Sequence, residues 1–525
     1  MEWPLKEPQT GKPKTTPTNM SIWKAAIEPA AKEYPNDVQT WLNELESKKK
    51  KWRNEYVSIL EGFSRIQLKT SPQTMVAMCQ AGFDAAKDAF VFRSDGEDKT
   101  MSLDQAWEKA FVQSESSGLE TKSLHGGRAD GECDRRMRLG SPHGSLAEPL
   151  YVFGKDAAGQ ATKWAEYGCM EPSAAKHACS VFEKDDVTPY LTSHVFVILG
   201  VTSEMGPATH LLRIPGAHVV GIARKGPKLQ RLMDFVQNEC PASSSLQVTE
   251  ADMLKEGPRI ARWLVDLLKA HTRKVVLMPM AYMDGEANCR VVLSMEQIIT
   301  YVKKNIPGCA TAYYPTPTTC YMIPPECAMD AKERYEASSS ERLIPSILQF
   351  TSLGFWCKPV KTWEQLEGDN PRVLLNGLVH LQGPSYALAK QMQLWRCVLA
   401  AAANETVIPI VAPGTRTESV VHSPEAAAAL EGIQAVAPPN VCFDIATSST
   451  LLAAILLSKL QEPAKRTDCP LELFWDGAVH GGIWRCPYDS RSYGIASYLY
   501  GKTLAKAGSC PSGALAPLST HAEEA

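Results

Sequence analysis

No apolar run in this sequence is long enough to cross a bilayer. The longest, Leu451 to Leu457 with its flanks, falls well short of the roughly 20 residues that a spanning helix needs. An excess of either charge is missing too: 55 Lys and Arg against 58 Asp and Glu leave a formal net charge of -3. That balance excludes the globally basic surface on which phosphate contacts depend, so no nucleic-acid partner is expected. Closely spaced cysteine doublets are absent. The 15 cysteines are scattered, and pairs such as Cys309/Cys320 or Cys469/Cys486 lack the spacing of a structural zinc site, so no metal is expected. They read as buried free thiols of a reducing compartment. The segment Met1 to Pro8 has no continuous apolar stretch and carries Glu2 and Glu7, against a leader or transit peptide. The expected location is the cytoplasm. Three catalytic signatures are also lacking. Without a Gly-x-Ser-x-Gly elbow, His480 and Asp476 do not make a hydrolase triad; His-Glu-x-x-His and Walker phosphate-loop motifs do not occur.

What remains is an ordinary globular composition, 44% hydrophobic and 22% charged. At about 150 residues per domain, the 525 residues suggest two to four units. Residues 1–35, rich in Pro, Thr and Lys, read as a flexible arm. Residues 36–190 read as a helical N-terminal region. Trp41, Leu45, Trp52, Tyr56 and Leu60 recur at helical spacing, the tetralysine Lys48–Lys51 reads as a solvated face, and Gly, Ser and Arg crowd a long loop over about 113–147. From 191 to 460, apolar runs near 195–199, 217–222, 246–248, 274–278, 310–314 and 407–411 alternate with helix-length segments. This rhythm predicts an α/β fold with a doubly wound, Rossmann-type parallel sheet. Residues 315–371 interrupt it and read as an insertion. Residues 461–525 read as a C-terminal cap and tail, with the aromatic stretch 474–488 placed either over a pocket or in subdomain packing.

Two places carry chemistry. After the first strand comes Gly200-Val-Thr-Ser-Glu-Met-Gly206-Pro, a glycine turn leading into a helix, where backbone N–H groups can approach a pyrophosphate. The second strand ends in Arg224 and Lys225, cations suited to a 2′-phosphate and therefore to NADP in preference to NAD. Asp252, after the third strand, is either an adenine acceptor or a helix N-cap. Further on, Gly383-Pro-Ser-Tyr-Ala-Leu-Ala-Lys390 opens a helix. Tyr386 and Lys390, four apart, share one helical face, and a nearby ammonium favours phenolate. A strand and then Pro413-Gly414-Thr-Arg-Thr417 follow.

In this order of features the sequence resembles the short-chain dehydrogenase/reductase superfamily, over roughly residues 194–420. The resemblance implies nicotinamide binding at the Gly200–Gly206 turn with Thr202 and Ser203, and at Pro413, Gly414 and Thr417. It makes Tyr386 the general acid and Lys390 its activator. Three departures stand out. Glu204 occupies the position of the family's middle glycine, Met278 to Gly285 replaces its Asn-Asn-Ala-Gly turn, and no serine lies a dozen residues before the tyrosine. Thr316 or Thr318 could supply that hydroxyl from across the insertion, or Asn376 or Ser385 could act as donor. The expected activity is NADP-dependent reduction of a carbonyl or activated alkene, or its reverse, on a small, apolar or ring-bearing molecule. The rival expectation is a catalytically silent Rossmann-derived binding or scaffold protein. A homo-oligomer or a place in a larger assembly is compatible with either.

Overall fold

The computed structural model describes residues 1–6, 10–93, 100–113, 117–141, 150–337, 342–366, 368–462 and 467–506. The chain begins with helices α1 (Thr15–Ile27), α2 (Trp52–Lys69) and α3 (Pro72–Ala89). Strand β1 (Lys122–His125) and helix α4 (Pro172–Phe182) come next. The alternating region follows as β2 (His194–Leu199), β3 (His218–Ala223), α5 (Pro227–Glu239), β4 (Ser245–Glu250), α6 (Met253–Leu268), β5 (Lys274–Pro279), α7 (Ala287–Asn305) and β6 (Ala310–Tyr313). Between β6 and the helix that carries Tyr386 lie β7 (Cys320–Ile323), α8 (Pro325–Glu336), α9 (Leu343–Thr351) and β8 (Val373–Asn376). Then come α10 (Pro384–Ala402), β9 (Val407–Pro409), α11 (Pro424–Val436), α12 (Ile445–Lys459) and α13 (Ser490–Lys506).

The central sheet has seven strands in the order β9-β6-β5-β2-β3-β4-β1. Six are parallel, and β1 pairs antiparallel with β4 at the edge. This is the doubly wound arrangement that the alternation predicts. All six residues of β2 are buried, as a strand covered on both faces requires. Val195, Val197 and Leu199 face the core that includes α1–α3, α6, α7 and α10. Phe196 and Ile198 face the other core, with α4, α5 and α12. The order reverses between β2 and β5, so the connections leaving their carboxyl ends diverge and open a crevice there, where such sheets take ligands.

Two segments depart from the sequence reading. The first 35 residues, expected as a flexible arm, hold α1, with Ile22, Trp23, Ala26 and Ile27 buried. Trp23 meets Trp395 of α10 with ring centroids 5.5 Å apart. The Pro-, Thr- and Lys-rich composition masked this short apolar face. The expected 113–147 loop contributes strand β1, because its alternating Lys122-Ser-Leu-His125 pairs with β4; residues 114–116 and 142–147 of that stretch lie outside the described residues. Of the two readings of the aromatic 474–488 stretch, the structure shows packing, with Phe474 and Trp484 buried against Tyr321 at 5.7 and 5.4 Å between ring centroids.

Candidate active site

The turn after β2 starts at Gly200, whose φ of +96° suits glycine. A Cβ there would lie 2.6 Å from the Ala281 backbone nitrogen in the loop after β5, so glycine is also what lets the two loops touch. Thr202 and Ser203 are half-buried and Gly206 is buried. The amides of Thr202, Glu204 and Met205 have no hydrogen-bond partner among the described residues. Free N–H groups of this kind suit an anionic ligand, so the backbone fits a dinucleotide pyrophosphate. The Glu204 carboxylate is diverted sideways. It takes Lys228 Nζ at 3.0 Å and the Glu418 backbone N–H at 3.0 Å, and Lys228 also reaches the Glu418 carboxylate at 2.7 Å. This clasp brings the Gly200–Gly206 turn together with the segment after β9 that holds Pro413, Gly414 and Thr417. The space beyond Gly414 is open.

Arg224 and Lys225 follow β3, exposed and with no partner among the described residues. Of the two readings of Asp252, the structure shows the N-cap: its carboxylate accepts the Leu254 N–H at 2.8 Å, while its own N–H donates to Glu256 at 2.9 Å. That reciprocal pairing satisfies the first turn of α6.

Tyr386 lies in the first turn of α10 and Lys390 one turn on, with Nζ 5.4 Å from the phenol ring centroid. Thr316, just beyond β6, lies beside the Tyr386 phenol, near enough for its hydroxyl to act on the phenol's ionisation. Thr316 Oγ1 lies 2.8 Å from Thr318 Oγ1, and Gln382 Nε2 donates to Thr318. Thr316, Thr318 and Gln382 therefore form a linked polar group beside the phenol. Burial raises the Tyr386 phenol above its usual range, with the Thr316 hydroxyl opposing. Burial also lowers the Lys390 ammonium to about 8.

The other two candidate donors stand elsewhere. Asn376, at the end of β8, gives its amide to Glu61 at 3.0 Å and accepts the Leu378 N–H at 3.0 Å, so it is spent on the hairpin and not on the phenol. Ser385 precedes Tyr386, and its carbonyl accepts the Cys289 thiol at 2.8 Å; its hydroxyl has no partner among the described residues.

Two groups of residues at the site escaped the sequence reading. Tyr282, in the loop after β5, sets its ring edge-on to Tyr386 at 6.3 Å; its place in the segment replacing the family turn was the available signal. The N-terminal helices also grip the loop that launches α10. Arg53 Nη1 donates to the His380 carbonyl at 2.6 Å, and the Tyr56 hydroxyl donates to the Val379 carbonyl at 2.7 Å. The same Tyr56 oxygen accepts the Gly383 N–H at 3.2 Å, and Asn19 donates to the Pro384 carbonyl at 3.2 Å. No local pattern signals contacts across more than 300 residues.

No protein-family model matches the chain, and no curated protein does. Among solved structures, a short-chain type dehydrogenase/reductase from Mycobacterium ulcerans is similar at 14% identity and a TM-score of 0.34, over 62% of this chain and 98% of its own. Salutaridine reductase from Papaver somniferum is similar at 10% identity and a TM-score of 0.29, over 52% of this chain and 98% of its own. These similarities are to short-chain dehydrogenase/reductase structures, at low identity and over part of the chain.

Proposed function

We propose that the protein is an oxidoreductase of the short-chain type that uses NADP, reducing a carbonyl or activated alkene of a small apolar or ring-bearing molecule, or running the reverse reaction. The observation that carries this reading is Lys390 one turn from Tyr386, with Nζ 5.4 Å from the phenol ring centroid. Gly200, Thr202, Ser203 and Gly206 would cradle the pyrophosphate, Arg224 and Lys225 would meet the 2′-phosphate, and Pro413, Gly414 and Thr417 would approach the nicotinamide end. When bound, that group supplies or accepts a hydride.

Tyr386 holds the proton. A half-buried phenol with a raised pKa stays protonated at neutral pH and can donate to a substrate oxygen that gains charge. Thr316 stands beside the phenol and is itself linked to Thr318 and Gln382. Lys390, cationic below about pH 8, adds positive charge beside the phenol and favours the phenolate left after proton transfer. The free thiols among the described residues, most of them buried, are consistent with a reducing cytoplasm.

One observation favours a second reading, a catalytically silent binding or scaffold protein. The Glu204 clasp places a carboxylate at the turn and engages Lys228. NADPH fluorescence titration separates the two readings when combined with a carbonyl-substrate screen of the wild type and Tyr386→Phe. The reductase reading expects NADPH binding and substrate-dependent oxidation that falls about 100-fold or more in the variant. Binding without turnover supports the scaffold; failure to bind either nicotinamide nucleotide removes the cofactor and the reaction class together.

A further inference from the structure

Helix α9 and the turn after it present apolar surface in two directions. On the inner side, Ile344 and Leu348 pack on the small core of Val436, Cys486 and Tyr493. On the outer side Leu343, Ile347 and Phe350, at spacings of four and three, are 63%, 51% and 85% exposed. Leu353 is 90% and Phe355 69% exposed. A helix apolar on both sides belongs in a core or against lipid, because only one of its faces can be covered by its own domain. The turn is also held in an unusual backbone state. Leu353 has φ of +51°, where glycine or asparagine is usual, and Gly354 N–H closes the helix end onto the Gln349 carbonyl at 2.8 Å. That conformation leaves a large apolar side chain pointing outward from the tip.

Along the chain, the tip's own charges are of one sign, although the Asp489 carboxylate lies near Lys358. From Arg342 to Trp363 the sequence carries three cations and no acid. Lys358 and Lys361 are exposed, and Lys358 Nζ lies 5.3 Å from the Phe355 ring centroid. An ammonium group therefore sits against the apolar tip.

We propose that the α9 tip docks the protein on an anionic lipid surface, with Phe350, Leu353 and Phe355 entering the acyl boundary and Lys358 and Lys361 meeting headgroup phosphates. A protruding point made of side chains 85% and 90% exposed fits a deformable bilayer better than a second identical point, since two convex tips bury little of each other. No helix among the described residues is long and apolar enough to cross a membrane, so the attachment is peripheral.

Vesicle co-sedimentation of the full chain tests this. The wild type should sediment with phosphatidylcholine vesicles containing about 30% phosphatidylserine, and less so with phosphatidylcholine alone or at about 0.5 M salt. The double variant Phe350→Ser/Leu353→Ser should lower the apparent partition coefficient about tenfold or more with an unchanged thermal melt. Lys358→Glu/Lys361→Glu should abolish the preference for phosphatidylserine. The proposal is overturned if the wild type ignores both vesicle types, or if the serine variant binds as the wild type does. It is equally overturned if the protein is a dimer that the serine variant splits without any vesicle binding, which would assign the tip to a second copy.

Discussion

Lys390 shows how a single side chain can work against stability. Burial lowers its ammonium from 10.5 to about 8, so between those pH values the unfolded chain binds a proton that the folded chain has released. The cost of holding the half-buried cation is complete below about 8 and disappears as pH rises towards 10.5. Lys390→Met should therefore be about 2 kcal/mol more stable than the wild type at pH 7. The gap should close through that alkaline window in urea titrations, while any turnover is lost. A structural role alone would not give a variant that is both sturdier and inactive. Tyr386 and Lys390 were legible in the sequence because four-residue spacing on a helix fixes a shared face. Thr316 was legible only as one of several hydroxyls, since its approach to the phenol crosses the whole segment between β6 and α10.

Among the elements, the six parallel strands and the crossover helices of the sheet followed the sequence closely because a parallel strand buried on both faces is written as an uninterrupted apolar run. The launch of α10 was not legible. It depends on Tyr56 of α2, which binds the Val379 carbonyl and the Gly383 N–H at once. Tyr56→Phe leaves both groups without that partner and should cost about 1–2 kcal/mol in chemical denaturation. If the N-terminal helices set the position of the phenol, turnover per enzyme should also fall more than substrate affinity does. An unchanged unfolding midpoint would show that the contact contributes nothing.

Across the whole molecule, distant segments are tied together by one buried carboxylate. Glu171, ahead of α4, accepts both Arg485 Nη2 contacts at 2.9 Å and His480 Nε2 at 3.0 Å, with the Cys327 thiol of α8 at 3.2 Å. Arg485 continues to Asp330 at 3.1 Å. Burial alone would raise the Glu171 pKa; the His480 hydrogen bond and the Arg485 charge outweigh it and hold the group down at about 2. Its contribution is therefore complete above about 4.5 and is lost as pH falls towards 2. Glu171→Gln leaves Arg485 and His480 short of their acceptor and should lose about 3 kcal/mol at pH 7. That deficit should shrink in acid, as read from melts between pH 7 and 3.

By itself the sequence determined the layered α/β architecture, the strand positions, the glycine turn and the Tyr386/Lys390 pair, because each depends on residues within a few turns of one another. Only the tertiary structure decided that α1 folds onto α10, that Glu204 swings to Lys228 and Glu418, that Asn376 belongs to a hairpin and that His480 closes on Glu171. Those outcomes rest on groups hundreds of residues apart. Their pairing is set by which faces the folded core brings together, and spacing along the chain carries no record of it.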